Sequence, residues 1–170
     1  MADAITASDA DILGFEYESS KSQQAAEALC ILVCLRLWKD LWQTRRSSLV
    51  VRSDSVTALT LVLYARAKGP TTSIIAREVA LDISEGVYRP SVVAHVSGVA
   101  NFTADALSRL HEPGKLGSVP SWLEGVKRDV PPLRVPLWYR TLAPPSDTLR
   151  FACAEIGKSV TAKNKTDQQM

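Results

Sequence analysis

A strand-like run that passes straight into a helix-like run limits this chain's fold more than any other feature. Leu49, Val50 and Val51 form a β-branched-rich stretch that stops at Arg52-Ser53-Asp54. Ser55 then offers an N-cap to an apolar segment from Val56 to Ala67, closed by Gly69-Pro70. A strand that hands directly to a helix belongs to a layered α/β arrangement, in which each element buries one face against another layer.

The flanking segments extend the alternation. Phe15 and Tyr17 alternate with Gly14, Glu16 and Glu18, which predicts a short strand over Ile12 to Glu18 after an unpatterned, disordered polar lead-in at 1–11. From Ser22 to about Gln43 there is no Gly or Pro, which predicts the longest helix. Thr71, Thr72 and Ser73 can cap a further helix to about Val87, with Ile75, Val79 and Ile83 on one side and Arg77, Glu78 and Asp82 toward water. Pro90 opens a strand through Val92, Ala94 and Val96, Gly98 ends it, and Thr103 to Leu110 reads as a short helix. Beyond Pro113 the texture changes. Prolines 120, 131, 132, 136, 144 and 145, interleaved with Trp122, Trp138 and Tyr139, predict an extended arm over 114–157 lying on the domain, followed by a polar, disordered tail at 158–170.

With 170 residues the chain has room for one domain with a proper core. A formal net charge of +2 is too small to announce a nucleic-acid binder by composition, so any such function must rest on motifs. Cys30, Cys34 and Cys153 lack CxxC spacing. The first two lie four apart on a helix and point the same way, which reads as core thiols in a reducing compartment. The longest apolar run, Ala25 to Leu35, is too short for a membrane span, so the expected protein is intracellular, cytoplasmic or nuclear, with no membrane partner.

Three carboxylates stand apart from ordinary surface charge. On a helical wheel Glu27 falls within about 40° of Ile31, Cys34, Trp38 and Leu41, which predicts that it faces the core side, opposite Arg36, Lys39, Asp40 and Gln43. Asp54 stands at the carboxyl end of a strand, where ligand sites of α/β sheets gather. Asp105 falls in the first turn of a short helix. Each has a structural alternative: Glu27 as a first-turn carboxylate favoured by the helix dipole, Asp54 as a cap, Asp105 as a dipole partner. If all three meet at one sheet edge they need a cation, because two carboxylates about 4 Å apart repel by ~4 kcal/mol at an effective dielectric of 20. Oxygen ligands without a thiolate or imidazole cluster favour Mg²⁺ or Mn²⁺. Carboxylate-held Mg²⁺ pairs are the usual machinery of phosphodiester hydrolysis.

The segment His95-Val96-Ser97-Gly98-Val99-Ala100-Asn101-Phe102-Thr103-Ala104-Asp105-Ala106-Leu107-Ser108-Arg109 resembles the end of retroelement ribonuclease H domains, H-x-x-G-x-x-N-x-x-A-D-x-L-S-R. Gln24-Ala25-Ala26-Glu27-Ala28-Leu29 and Arg52-Ser53-Asp54-Ser55 are similar to two further family segments in the same order, so the resemblance covers about Ile12 to Pro113. The wording around Ala76 to Ala80 looks most like the DIRS-type or a related lineage. The resemblance implies an α/β fold with a ribonuclease H-like mixed sheet flanked by helices over 12–113. It also implies a place beside a reverse-transcriptase polymerase domain in a polyprotein and cleavage of RNA in RNA–DNA hybrids. Glu27, Asp54 and Asp105 would then be three of four catalytic ligands for Mg²⁺ or Mn²⁺.

The family also has a first strand bearing an aspartate and a second strand, for which the eleven residues before Ile12 leave no room; Asp3, Asp9 and Asp11 are not promoted to that role. The domain is therefore expected to be N-terminally incomplete and inactive as this chain. His95 is expected to pack or hydrogen-bond at its strand end, and Asn101 to act as a cap or turn residue. The alternatives are a non-catalytic descendant that binds nucleic acid or packs against a polymerase domain, and an unrelated α/β domain whose three acids are caps.

Overall fold

The computed structural model describes residues 5–16, 19–43, 49–111 and 119–142. It begins with a helix rather than the strand expected at Ile12 to Glu18. Thr6 caps α1 (Ala7–Leu13): its hydroxyl accepts from the Asp9 amide at 3.0 Å, and the Asp9 carboxylate accepts from the Thr6 amide at 2.9 Å. Gly14 closes the helix in the left-handed region at φ 62°. The Phe15 alternation thus falls on the exit from a helix, and Tyr17 and Glu18 lie outside the described residues. The polar lead-in is likewise structured from Thr6 onward, with Asp9 and Leu13 buried.

Helix α2 (Ser20–Leu37) starts at the Ser19 cap, and α3 (Lys39–Gln43) follows after a break at Trp38. Glu27 is therefore two turns inside the helix, not in its first turn. The buried face also differs from the expected one. Ala25, Ala28, Leu29, Leu32 and Leu35 are buried, and with Ala25 as origin they and Arg36 fall within about 80°. Glu27 lies about 160° away, on the half-exposed flank with Ile31 and Cys34. Cys30, expected in the core, is exposed. Wide apolar coverage around the whole helix hides the difference from a wheel, because Ile31, Trp38 and Leu41 are as apolar as the residues that are buried.

β1 (Leu49–Ser53) leads into α4 (Val56–Tyr64), then α5 (Pro70–Ser84), then β2 (Pro90–His95). The strands pair in parallel, Val51 opposite Val93 and Ser53 opposite His95, so the two helices form the crossover that a parallel pair requires. The result is a mixed α/β fold, mostly helical. Among the described residues the sheet has these two parallel strands only, where a mixed sheet was expected, because the segment assigned to a further strand is in part α1. Ala58, Leu61 and Val62 of α4 and Ile75 and Val79 of α5 meet the α2 face in one core.

Glu78 and Asp82, expected to face water, are buried. Arg36 reaches both from α2: its Nη2 donates to Glu78 Oε2 at 2.6 Å and its Nε to Asp82 Oδ2 at 2.7 Å. The Tyr88 hydroxyl donates to the same Asp82 oxygen at 2.9 Å. Burial works against the Arg36 charge, and the two carboxylates more than restore it, holding its pKa above the ordinary value.

After β2, a 3-10 turn (Gly98–Asn101) runs into α6 (Phe102–Ser108). Residues 119–142 hold 3-10 turns without an α-helix or strand. They are anchored to the body: Arg134 and Tyr139 are buried, Asp129 accepts from Trp38 Nε1 at 2.9 Å, and the Trp138 carbonyl accepts from Arg36 at 2.9 Å. The rest of the expected arm and the tail at 158–170 lie outside the described residues.

Candidate functional site

The parallel register sets the geometry at the carboxyl end of the sheet. Ser53 and His95 face each other as the last residues of their strands, and the Val96 amide donates to the Ser53 carbonyl at 3.0 Å. Both strands therefore end at the same edge of the sheet. Asp54 follows one strand and Gly98 stands at the exit of the other. The two segments approach closely enough that a Cβ built on Gly98 would lie 4.0 Å from Asp54 Oδ2. Ser55, not Asp54, caps α4, its hydroxyl accepting from the Ala58 amide at 3.2 Å. The Asp54 carboxylate is exposed.

Asp105 lies in the first turn of α6. Its carboxylate is held by Arg109 one turn later, with Nη2 at 3.0 Å and Nε at 3.1 Å, and both side chains are more than half exposed. Asn101 occupies the cap position without a side-chain cap bond, because the preceding 3-10 turn feeds the helix directly. His95 is exposed rather than packed.

Glu27 lies on α2, where its Oε1 accepts from Gln23 Nε2 at 3.4 Å. Among the described residues, no group of three or more His, Cys, Asp and Glu side chains gathers to hold a metal ion. The Asp54 loop and the Gly98 turn are brought together, whereas Glu27, Asp54 and Asp105 do not form a closed protein cage. Oxygen ligands of this kind still suit Mg²⁺, which commonly takes one or two carboxylates and completes its shell with water and substrate phosphate.

One feature beside α6 escaped sequence reasoning. Phe102 and Trp122 meet edge to face with ring centroids 5.7 Å apart, and both remain largely exposed. Their separation by twenty positions, across a proline-containing stretch, gives no periodic signal.

No family model, curated protein or solved structure matches the chain. Among the described residues no helix is long and apolar enough to cross a membrane.

Proposed function

We propose that the chain is a ribonuclease H-like module of a retroelement reverse-transcriptase polyprotein, directed at the RNA strand of RNA–DNA hybrids. The observation that carries this reading is the approach of the Gly98 turn to Asp54 at the carboxyl ends of two parallel strands. It joins two of the three segments of the sequence resemblance, Arg52-Ser53-Asp54-Ser55 and the His95-to-Arg109 segment, at one edge of the sheet. In this reading Asp54 and Asp105 would hold Mg²⁺ or Mn²⁺ together with a scissile phosphate, and Glu27 is the third carboxylate that the resemblance assigns to the set. The metal would supply an activated water and charge neutralisation at the leaving oxygen. The chain's own part is to present carboxylate oxygens at the sheet edge and, through Arg109, to set the position of Asp105.

A second reading keeps the fold and the hybrid but omits cleavage. It is favoured by the Arg109–Asp105 pair, which satisfies that carboxylate without a metal. By itself the chain is expected to bind hybrid without releasing RNA fragments.

The test is anisotropy on a labelled RNA–DNA hybrid against DNA and RNA duplexes, with a cleavage assay in Mg²⁺ and Mn²⁺. Preference for hybrid without cleavage supports the module, inactive as this chain. Metal-dependent cleavage lost on Asp54→Asn and Asp105→Asn supports the catalytic form and overturns the expectation that this chain is inactive by itself. Equal or absent binding to all three duplexes overturns both.

A further inference from the structure

Residues 130–137 read Val-Pro-Pro-Leu-Arg-Val-Pro-Leu, and their polarity is turned inside out. Arg134 points into the body, where it pairs with the buried Asp9 and is only 3% exposed. Its apolar neighbours face the other way: Leu133 is 73% exposed and Leu137 78%, with Val130 and Val135 exposed beside them. The Val135 amide donates to the Leu133 carbonyl at 3.2 Å, closing a three-residue turn with Arg134 at its inner corner. The buried Tyr139 fixes the far end of the row. The ion pair to Asp9 therefore holds a row of apolar side chains in water at a set place on the surface.

The chemistry of the row narrows what covers it. Arg134 is the one charged residue between Val130 and Leu137 in the sequence, and it is committed to Asp9, so the row offers no cation to a phosphate backbone. Pro131, Pro132 and Pro136 lack an amide hydrogen, so a partner strand added here meets an interrupted ladder. The fitting partner is an uncharged apolar surface that makes contact through side chains.

The row itself is such a surface, and its order is self-complementary. Leu133, Val135 and Leu137 read the same in both directions. A second copy turned about a two-fold axis at Val135 sets Leu133 against the partner's Leu137 and Val135 against the partner's Val135, the reciprocal pairing of an isologous contact. With the exposed Pro132 and Pro136, the four side chains make an apolar patch on the order of 500 Å², a size that often marks a functional surface on a monomer. Two such patches face to face bury about 1,000 Å², the lower bound for a specific interface, so the contact is weak and reversible.

We propose that residues 130–137 form a two-fold homodimer contact of this chain, with Leu133 of each copy packed on the partner's Leu137. The contact is independent of the hydrolytic reading of Asp54 and Asp105.

Sedimentation velocity of the full native chain, from low micromolar to several hundred micromolar, is expected to show a reversible monomer–dimer equilibrium. Leu133→Glu and Leu137→Lys each set a charge against a leucine, and each should weaken association by at least about tenfold. Both positions are exposed, so far-ultraviolet circular dichroism of the variants should match the native chain. Mixed in equal amounts, the two variants should regain a dimer. The introduced carboxylate of one chain then faces the introduced ammonium of the other, and the second contact is an unaltered leucine pair. A native chain that stays monomeric throughout the range overturns the proposal. Association of either variant alone at native strength overturns it equally, because the contact then lies on another face. A mixture that stays monomeric shows the two-fold register to be wrong and overturns it as well. Should one of the variants lose its fold, Val135→Glu takes its place: it sets two carboxylates together on the axis, and a dimer of native strength in that variant overturns the proposal.

Discussion

Arg134 donates from Nε and Nη2 to the carboxylate of Asp9 at 2.8–3.0 Å, joining α1 to a segment 125 residues later. Both side chains are almost completely buried, and the Tyr139 hydroxyl donates to Asp9 Oδ1 at 2.6 Å. Removing one member of such a pair leaves the other charged and desolvated, at a cost of about 3–5 kcal/mol. Arg134→Met is expected to lower unfolding free energy by about that amount in urea denaturation. Met fills the volume of the stem, so the loss reports the stranded Asp9 charge. The double variant Asp9→Leu, Arg134→Met should recover part of the loss, and a double variant as unstable as the sum of the two would show that the charges act independently.

The same contact makes stability acid-sensitive. Burial pushes the Asp9 carboxyl up, but hydrogen bonds from Arg134, Tyr139 and Thr6 outweigh it and hold its pKa below the ordinary value. A depressed folded pKa means the unfolded state binds the proton more readily. The contribution is fully present above the unfolded value of about 3.9 and is lost as pH falls through the lower folded value. Melting temperature should therefore fall more steeply below about pH 4 in the native chain than in Asp9→Asn. Parallel acid limbs in the two proteins would remove Asp9 from the account.

Arg36 gives a third expectation. Its guanidinium engages Glu78 and Asp82 while stacking over the Trp138 ring at 4.4 Å. A lysine ammonium carries the charge but cannot reproduce the planar fork or the stacked face. Arg36→Lys should be destabilised nearly as much as Arg36→Met, both by several kcal/mol, on the order of 3–5 for a broken buried pair. Thermal or chemical denaturation of the two variants side by side decides it. Full retention of stability by lysine would mean that charge alone holds α2 to α5.

These contacts explain which parts of the molecule were legible in the sequence. The strand at Leu49, the Ser55 cap, the helix after Thr71 to Ser73, the strand from Pro90 and the short helix near Asp105 are each specified by neighbours within a few residues, and the structure forms each of them, the helix starting at Pro70 with Gly69 rather than Thr71 to Ser73 as its cap and ending at Ser84. Even α1 carried a local signal, the Thr6-to-Asp9 capping box ahead of Gly14, which the Phe15 and Tyr17 alternation masked. The buried charges carried none. Glu78 and Asp82 read as solvated positions because burial depends on Arg36, 42 and 46 residues away, and Asp9 depends on Arg134. The same blindness reversed the faces of α2: a wheel ranks an arginine outside and a glutamate beside apolar neighbours inside, whereas pairing across helices decides the matter here. At the candidate site, the strand-end position of Asp54 and the first-turn position of Asp105 were legible, while the Arg109 pair and the Phe102–Trp122 contact emerge from the folded arrangement.

The last prediction separates a functional role for the carboxylates at the sheet edge from a structural one. Asp105 and Arg109 form an exposed pair at positions four apart on a helix, of the kind worth about 0.3–0.5 kcal/mol. Asp54 is exposed, and the cap that α4 needs comes from Ser55, so Asp54→Asn removes no cap. Both variants should melt within a degree or two of the native chain, since a 1 kcal/mol change shifts a domain of this size by about 2–4 °C. Under the proposed function the same substitutions should nonetheless abolish the Mn²⁺ dependence of hybrid binding, because an amide is a far poorer partner than a carboxylate for a hard divalent cation. Ser55→Ala is the contrasting control: it removes a true cap, should cost about 1 kcal/mol, and should leave the Mn²⁺ dependence intact. Differential scanning fluorimetry and hybrid anisotropy with and without Mn²⁺ read both quantities on the same samples. If Asp54→Asn and Asp105→Asn destabilise the chain as much as Ser55→Ala does and leave the metal response unchanged, these acids are structural and the hydrolytic reading of the sheet edge fails.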